Sequence, residues 1–228
     1  MKKSIPISII VLLFMSNYSQ AQDWANLNRY QQENTTLRTP NLDENRVVFM
    51  GNSITESWSN YHAEFFERKS YINRGISGQT TPQMLIRFRQ DVIALKPKIV
   101  VILAGTNDIA ENTGPTTIEM IIDNIISMAE IAKSNNIKVI ISSVLPAYDY
   151  PWNTGLKPNE KIPVLNRLLK EYANKNSIVY LDYFTSMSNK KNGFKNVYTY
   201  DGVHPNKKGY LKMELLVEKA IKKTLLQK

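Results

Sequence analysis

The chain has no cysteine among its 228 residues, only two histidines, and fewer acidic than basic residues, 20 against 29. Without cysteine there is no disulfide framework, so the folded state rests on packing alone. No grouping of His, Asp and Glu has metal-ligand spacing, which argues against a zinc site. The nine glycines include no GxGxxG and none followed by a Lys-Ser/Thr pair, so a phosphate-cradling loop is unsupported. No apolar run reaches the roughly 20 residues that a membrane-spanning helix needs. The longest, Ile5 to Met15, follows Met1-Lys2-Lys3 and precedes Ser19-Gln20-Ala21. That order of charge, apolar stretch and small-x-small site predicts a cleaved secretory signal peptide over residues 1–21. No cysteine follows the stretch, which argues against a lipid anchor. The expected location is periplasmic or extracellular, with no stable membrane insertion.

What remains is about 207 residues, the length of one domain with a substantial core. Removing Lys2 and Lys3 lowers the formal charge from +9 to +7. Seven lysines fall between Lys207 and Lys228, where they punctuate an apolar stripe of Leu211, Leu215, Leu216, Ala220 and Ile221. They read as the solvated face of an amphipathic C-terminal helix. No aromatic residues interleave with them as stacking platforms would, so nucleic acid is not an expected partner.

Residues 22–45 are rich in Asn and Gln and read as a lead-in segment, partly helical from Trp24 to Gln32; the domain proper runs over 46–228. Apolar segments at Arg46–Met50, Tyr71-Ile72, Ile99–Leu103, Lys138–Ser142 and Ile178–Leu181 predict five strands. Between them, helical periodicity covers Thr80–Leu95, a stretch from Thr116-Thr117 to Asn135-Asn136, and roughly Lys161–Lys175. Strands apolar on both faces, alternating with amphipathic helices, predict a parallel sheet covered on both sides. Ligands of such sheets bind beyond the carboxyl ends of the strands.

Four polar segments follow the strands: Gly51-Asn52-Ser53, Gly75-Ile76-Ser77-Gly78-Gln79-Thr80, Gly105-Thr106-Asn107-Asp108 and Asp201-Gly202-Val203-His204-Pro205-Asn206. Each alone reads as a turn or a helix cap. Together they hold the parts that acyl transfer requires. A serine hydroxyl (Ser53) needs a base, and His204 lies in a polar turn; the base needs an orienting carboxylate, and Asp201 is three residues upstream. The backbone N–H groups of Ser53 and Gly78 and the Asn107 amide are candidate donors to an oxyanion.

In these blocks, "GNSIT", "RGISGQT", "GTND" and "DGVHPN", the chain resembles the SGNH (GDSL-type) esterase and lipase family. The resemblance runs from Arg46 to the C-terminal helix. It implies a flavodoxin-like three-layer α/β/α sandwich with a five-stranded parallel sheet, and a hydrolase needing neither metal nor other cofactor. Ser53, Asp201 and His204 match the family's triad, and Ser53, Gly78 and Asn107 its oxyanion hole. One position departs from the family pattern: Asn52 stands where an Asp usually precedes the serine.

His62, in a helical stretch over Tyr61–Arg68, is a rival base; Asp182 is a rival orienter; Asp108 reads as a loop-holding residue. Tyr148, Tyr150 and Trp152, after the fourth strand, either cover the core or contact substrate. No long apolar lid is present, which favours short acyl chains. The expected activity is hydrolysis of short-chain, chiefly acetyl, esters on a small molecule or glycan. The alternatives are a lysophospholipase or platelet-activating-factor-acetylhydrolase-like lipid esterase, and a non-catalytic carbohydrate-binding protein.

Overall fold

The computed structural model describes residues 23–67 and 69–227; the signal-peptide expectation for residues 1–21 lies outside them. Five strands, β1 (Val47–Gly51), β2 (Tyr71–Gly75), β3 (Ile99–Leu103), β4 (Lys138–Ser142) and β5 (Val179–Leu181), form one sheet in the order β2-β1-β3-β4-β5. Every neighbouring pair is parallel, the doubly wound order in which the strand sequence reverses beside β1. The helices are α1 (Gln31–Thr36), α2 (Ser53–Tyr61), α3 (Glu64–Glu67), α4 (Thr81–Asp91), α5 (Thr106–Ile109), α6 (Ile118–Ser134), α7 (Pro158–Lys175), α8 (Phe184–Met187) and α9 (Lys207–Leu226).

Alternation along the strands sends successive side chains to opposite faces, and each face has its own core. Val48, Met50, Val100, Ile102, Val139 and Ile141 pack under α4, α6 and α7, meeting Phe88, Ile125 and Leu165. Val47, Phe49, Val101, Ile140 and Leu181 pack under α2, α3 and α9, meeting Trp58, Phe65 and Met213. On this second face Phe49 sits edge-on to Trp58, Phe65 and Phe66, with ring centroids 5.4–5.8 Å apart. Among the described residues no helix is long and apolar enough to cross a membrane.

Several sequence expectations need correction. The lead-in is not helical from Trp24; it runs as turns until α1 begins at Gln31. The segment expected as one helix over Thr80–Leu95 stops at Asp91, and a single tighter turn, Ile93–Leu95, follows it. The helix expected from Lys161 starts earlier, at Pro158, because a proline suits the first helical turn. Pro163 inside that helix can make no bond to the Asn159 carbonyl, which instead accepts the Asn192 side-chain amide at 3.1 Å. On α9 the buried face is Tyr210, Met213, Val217, Ala220 and Ile221, while Leu211 and Leu215 are exposed.

Candidate active site

Strand register lines up the loops. Gly51 at the end of β1 pairs with Gly75 of β2 and Leu103 of β3, so Ser53, Gly78 and Asn107 leave the sheet side by side along one edge. Asn52 caps α2, its Oδ1 accepting the Ile54 N–H at 3.0 Å. An amide oxygen serves that cap as well as a carboxylate would, which accounts for the Asn at this position. Ser53 is then the first residue of α2, where backbone N–H groups have no partner inside the helix.

The β2 strand passes very close to α2. A Cβ on Gly75 would lie 2.1 Å from the Glu56 nitrogen and 2.7 Å from the Asn52 carbonyl oxygen. The following loop bends at Gly78, whose φ of +77° favours glycine. Glu56 of α2 holds this loop by accepting both the Ser77 N–H, at 2.9 Å, and the Ser77 hydroxyl. From β3, the Asn107 amide donates one hydrogen to the Gln79 carbonyl at 3.0 Å and has a second to offer.

Beneath this edge is a buried network. Arg87 of α4 has no exposed surface. It donates to Gln79 Oε1 at 2.6 Å, to Asp91 Oδ2 at 3.0 Å and to the Gly51 carbonyl at 3.1 Å. One guanidinium therefore ties the strand end before Ser53 to the loop carrying Gly78, and through Gln79 to Asn107. Asp108 fulfils its expected structural role: its Oδ1 accepts the Thr81 N–H at 2.9 Å at the start of α4. Burial pushes the Asp108 carboxyl up from its ordinary value, an effect that hydrogen bonds from Thr81 partly offset.

The loop before α9 supplies the remaining groups. Asp201 Oδ1 accepts the backbone N–H groups of Val203 and His204 at 2.9 and 2.7 Å, and its Oδ2 lies 2.7 Å from His204 Nδ1. The His204 Nε2 is 3.0 Å from Ser53 Oγ. With Nδ1–H directed at the carboxylate, Nε2 is the nitrogen left to accept the serine proton. Burial raises the Asp201 pKa, but the N–H donors and the imidazole outweigh it and hold the carboxyl below its usual range. The imidazole is flanked by two rings: Tyr200 stacks on it at 5.9 Å and 13°, and Trp152 lies 6.0 Å away, tilted 39°. Asn112 supports this wall, accepting the Trp152 indole N–H at 3.2 Å and donating to the Gly78 carbonyl at 3.2 Å.

Ser53, His204 and Asp201 thus form one hydrogen-bonded chain, with Gly78 and Asn107 in the adjoining loops. The other candidates lie elsewhere. His62 bonds Glu214 at 2.8 Å, and Glu214 also accepts the Trp58 indole at 3.0 Å, a link between α2 and α9. Asp182 caps α8 through Thr185. Tyr150 requires correction as a substrate contact: it is fully buried, with its hydroxyl 3.0 Å from Thr106 Oγ1. Burial pushes that phenol well above its ordinary pKa. Tyr148 is exposed and packs beside Gly193; of the three aromatics, Trp152 adjoins His204. Sequence reasoning missed Arg87, Gln79, Glu56, Asn112 and Tyr200. Only the first left a signal, a charged pair four residues apart, Arg87 and Asp91, on a helix face shared with Met84 and Phe88.

A doubly wound parallel sheet with a serine, a histidine and an aspartate in series at its carboxyl edge defines the hydrolase class. Residues 49–212 match the GDSL-like lipase/acylhydrolase family model, and the chain belongs to that family. Its fold is shared with a GDSL-like lipase from Bacteroides thetaiotaomicron, 50% identical over 87% of this chain and 98% of that one, TM-score 0.86. A provisionally assigned acylhydrolase from Bacteroides fragilis is 53% identical over 90% and 99% of the two chains, TM-score 0.87. An acetylxylan esterase from Xylanibacter ruminicola is 27% identical over 82% of this chain and 45% of that protein. The chain spans less than half the length of the curated relatives it matches.

Proposed function

We propose that this chain is an exported serine esterase that removes short acyl groups, chiefly acetyl, from carbohydrate. The carrying observation is the unbroken series Ser53 Oγ, His204 and Asp201, at 3.0 and 2.7 Å. In this reading Ser53 Oγ attacks the ester carbonyl while His204 Nε2 takes its proton. The oxyanion is met by the N–H groups of Ser53 and Gly78 and the free hydrogen of the Asn107 amide, each such donor being worth about 3–4 kcal/mol in the transition state. His204 returns the proton to the leaving alcohol, and an acyl-serine remains. Water, activated by the same imidazole, then releases the acid. Asp201 keeps the imidazole in the required tautomer. Tyr200 and Trp152 restrict its ring to the orientation that faces Ser53.

Support for a carbohydrate ester comes from the exposed Trp152 beside the imidazole and from the similarity to an acetylxylan esterase. Export rests on the sequence of residues 1–21. The decisive test is Ser53→Ala, assayed on p-nitrophenyl acetate, acetylated xylan, acetylated sialic acid and lysophospholipid, with organophosphonate labelling in parallel. Wild-type protein is expected to be labelled at Ser53 and to turn over acetylated sugar; the variant is expected to do neither. Undiminished turnover by the variant removes Ser53 as nucleophile. A preference for lysophospholipid replaces the carbohydrate reading with the lipid one.

A further inference from the structure

Beside Gly78 lies a polar depression of about 290 Å³, walled on one side by the lead-in turns at Asp23, Trp24 and Asn26 and on the other by Asn112 and Thr113. We propose that this depression is a binding subsite for a neutral sugar unit, adjacent to the unit whose ester is cleaved. The inference rests on the esterase reading above and adds to it both the site and the charge of the substrate.

The lead-in is built into the domain at this place. Three glutamine side chains grip consecutive stretches of its backbone: Gln83 Nε2 donates to the Trp24 carbonyl at 2.6 Å, Gln79 Nε2 to that of Ala25 at 2.7 Å, and Gln90 Nε2 to that of Leu27 at 2.6 Å. The Asp23 carboxylate closes the turn by accepting the N–H groups of Leu27 and Asn28 at 2.7 and 3.0 Å. Ala25 is buried and anchors the segment. Between these anchors Trp24 stays 46% exposed and lines the depression. A backbone held this firmly presents the indole at little conformational cost on binding.

The chemistry of the lining selects the ligand. A sugar ring has a C–H face and a rim of hydroxyls. Trp24 offers aromatic surface to the first. For the second, Asn26 brings an amide; Gln83 and Asn112, each already donating one amide hydrogen to a backbone carbonyl, keep the other, and the Thr113 hydroxyl, bonded to Thr80, keeps a lone pair. Among the described residues the single charged one in the lining is Asp23, and no Lys or Arg side chain contributes, so no side chain there offers an anionic sugar or a phospholipid head group a counter-charge. A volume near 290 Å³ lies at the small end of ligand sites, which run from roughly 300 Å³ upward, and suits one ring.

Position links the subsite to the reaction. Gly78 forms part of its lining and is also a candidate oxyanion donor, and a Cβ there would meet nothing within 4 Å. Asn112 borders the depression and holds both Gly78 and Trp152. An oligosaccharide whose ester carbonyl sits at Ser53 therefore crosses Gly78 to place its neighbouring unit against Trp24.

The test separates this site from the catalytic reading because it needs no turnover. Deacetylated xylotetraose is titrated into the full chain and into Trp24→Ala, with thermal unfolding as a check on folding. Binding by the wild type and at least a tenfold weakening in the variant are expected. In kinetics, Trp24→Ala is expected to raise KM at least tenfold on acetylated xylotetraose and to leave p-nitrophenyl acetate unaffected. Thr113→Arg, which fills the depression from the opposite wall, is expected to reproduce both effects. The proposal is overturned if the wild type does not bind xylotetraose, or if both variants bind it as the wild type does. It is equally overturned if the variants lose p-nitrophenyl acetate and oligosaccharide activity in the same proportion. Loss of the Ser53 assignment alone leaves the titration result intact.

Discussion

Arg87 offers a way to separate the stability of the site from its alignment. Its side chain is wholly buried and pairs with Asp91, whose side chain is 1% exposed. Among the described residues, Arg87→Met leaves that carboxylate with one side-chain hydrogen bond, from the Asn34 amide at 2.7 Å, and the longer-range attraction of Arg74. Stranding one member of a buried pair costs about 3–5 kcal/mol, a large part of the roughly 5–15 kcal/mol by which a domain is stable. Loss of activity in the single variant is therefore ambiguous. Arg87→Met/Asp91→Leu removes the stranded charge, and apolar replacement of both partners is often neutral, so most of the lost Tm is expected to return. The hydrogen bonds from Arg87 to the Gly51 carbonyl and to Gln79 do not return. With those two loops unheld, displacement by about 1 Å costs on the order of 10²-fold in rate, close to 2.7 kcal/mol of barrier. The double variant should thus unfold closer to the wild-type temperature than Arg87→Met does, short of it by the cost of the unpaired Gln79 oxygen, about 1–3 kcal/mol, yet show a kcat on p-nitrophenyl acetate about 10²-fold lower, with little change in KM. Recovery of both Tm and kcat would refute the reasoning and reduce Arg87 to a counter-ion for Asp91.

Two further outcomes follow from the site. Asn107→Ala removes a candidate oxyanion donor and is expected to lower kcat by about 10²–10³-fold with KM nearly unchanged; a fall in affinity alone would count against that role. Asp201→Asn is expected to lower kcat by at least about 10²-fold, and its effect on stability depends on pH. The native Asp201 carboxyl titrates below its ordinary value, so its contribution is complete above the unfolded pKa, about 3.9, and is lost as pH falls through the native one. The Tm difference between wild type and Asp201→Asn should narrow as pH falls from about 5 to below about 4. A difference that widens in acid reverses the sign of the argument.

Much of the molecule was legible in one dimension. The five strands were readable because a parallel sheet covered on both faces demands unbroken apolar runs such as Ile99–Leu103. The segments carrying Ser53, Gly78, Asn107, Asp201 and His204 stood out because each follows a strand or precedes a helix, where local turn chemistry writes polar residues into the chain. Asp201 and His204 are three residues apart, so their contact is a property of one turn. Other features depend on which distant surfaces meet. Ser53 and His204 are 151 positions apart, and only the order of strands and the packing of α9 on α2 bring them within hydrogen-bonding reach. Tyr150 and Trp152 are two residues apart in one loop, and nothing local tells which is swallowed by the core and which faces the imidazole. Leu211 and Leu215 likewise fit a helical stripe but lie to one side of the face that the sheet covers. Arg87 gave a weak signal, since an arginine inside an amphipathic helix reads as surface until a buried carboxylate, a carbonyl and an amide are found around it. Periodicity and turn propensity are set by near neighbours and survive in the sequence; burial and long-range pairing depend on what covers each side chain, and only the folded chain decides that.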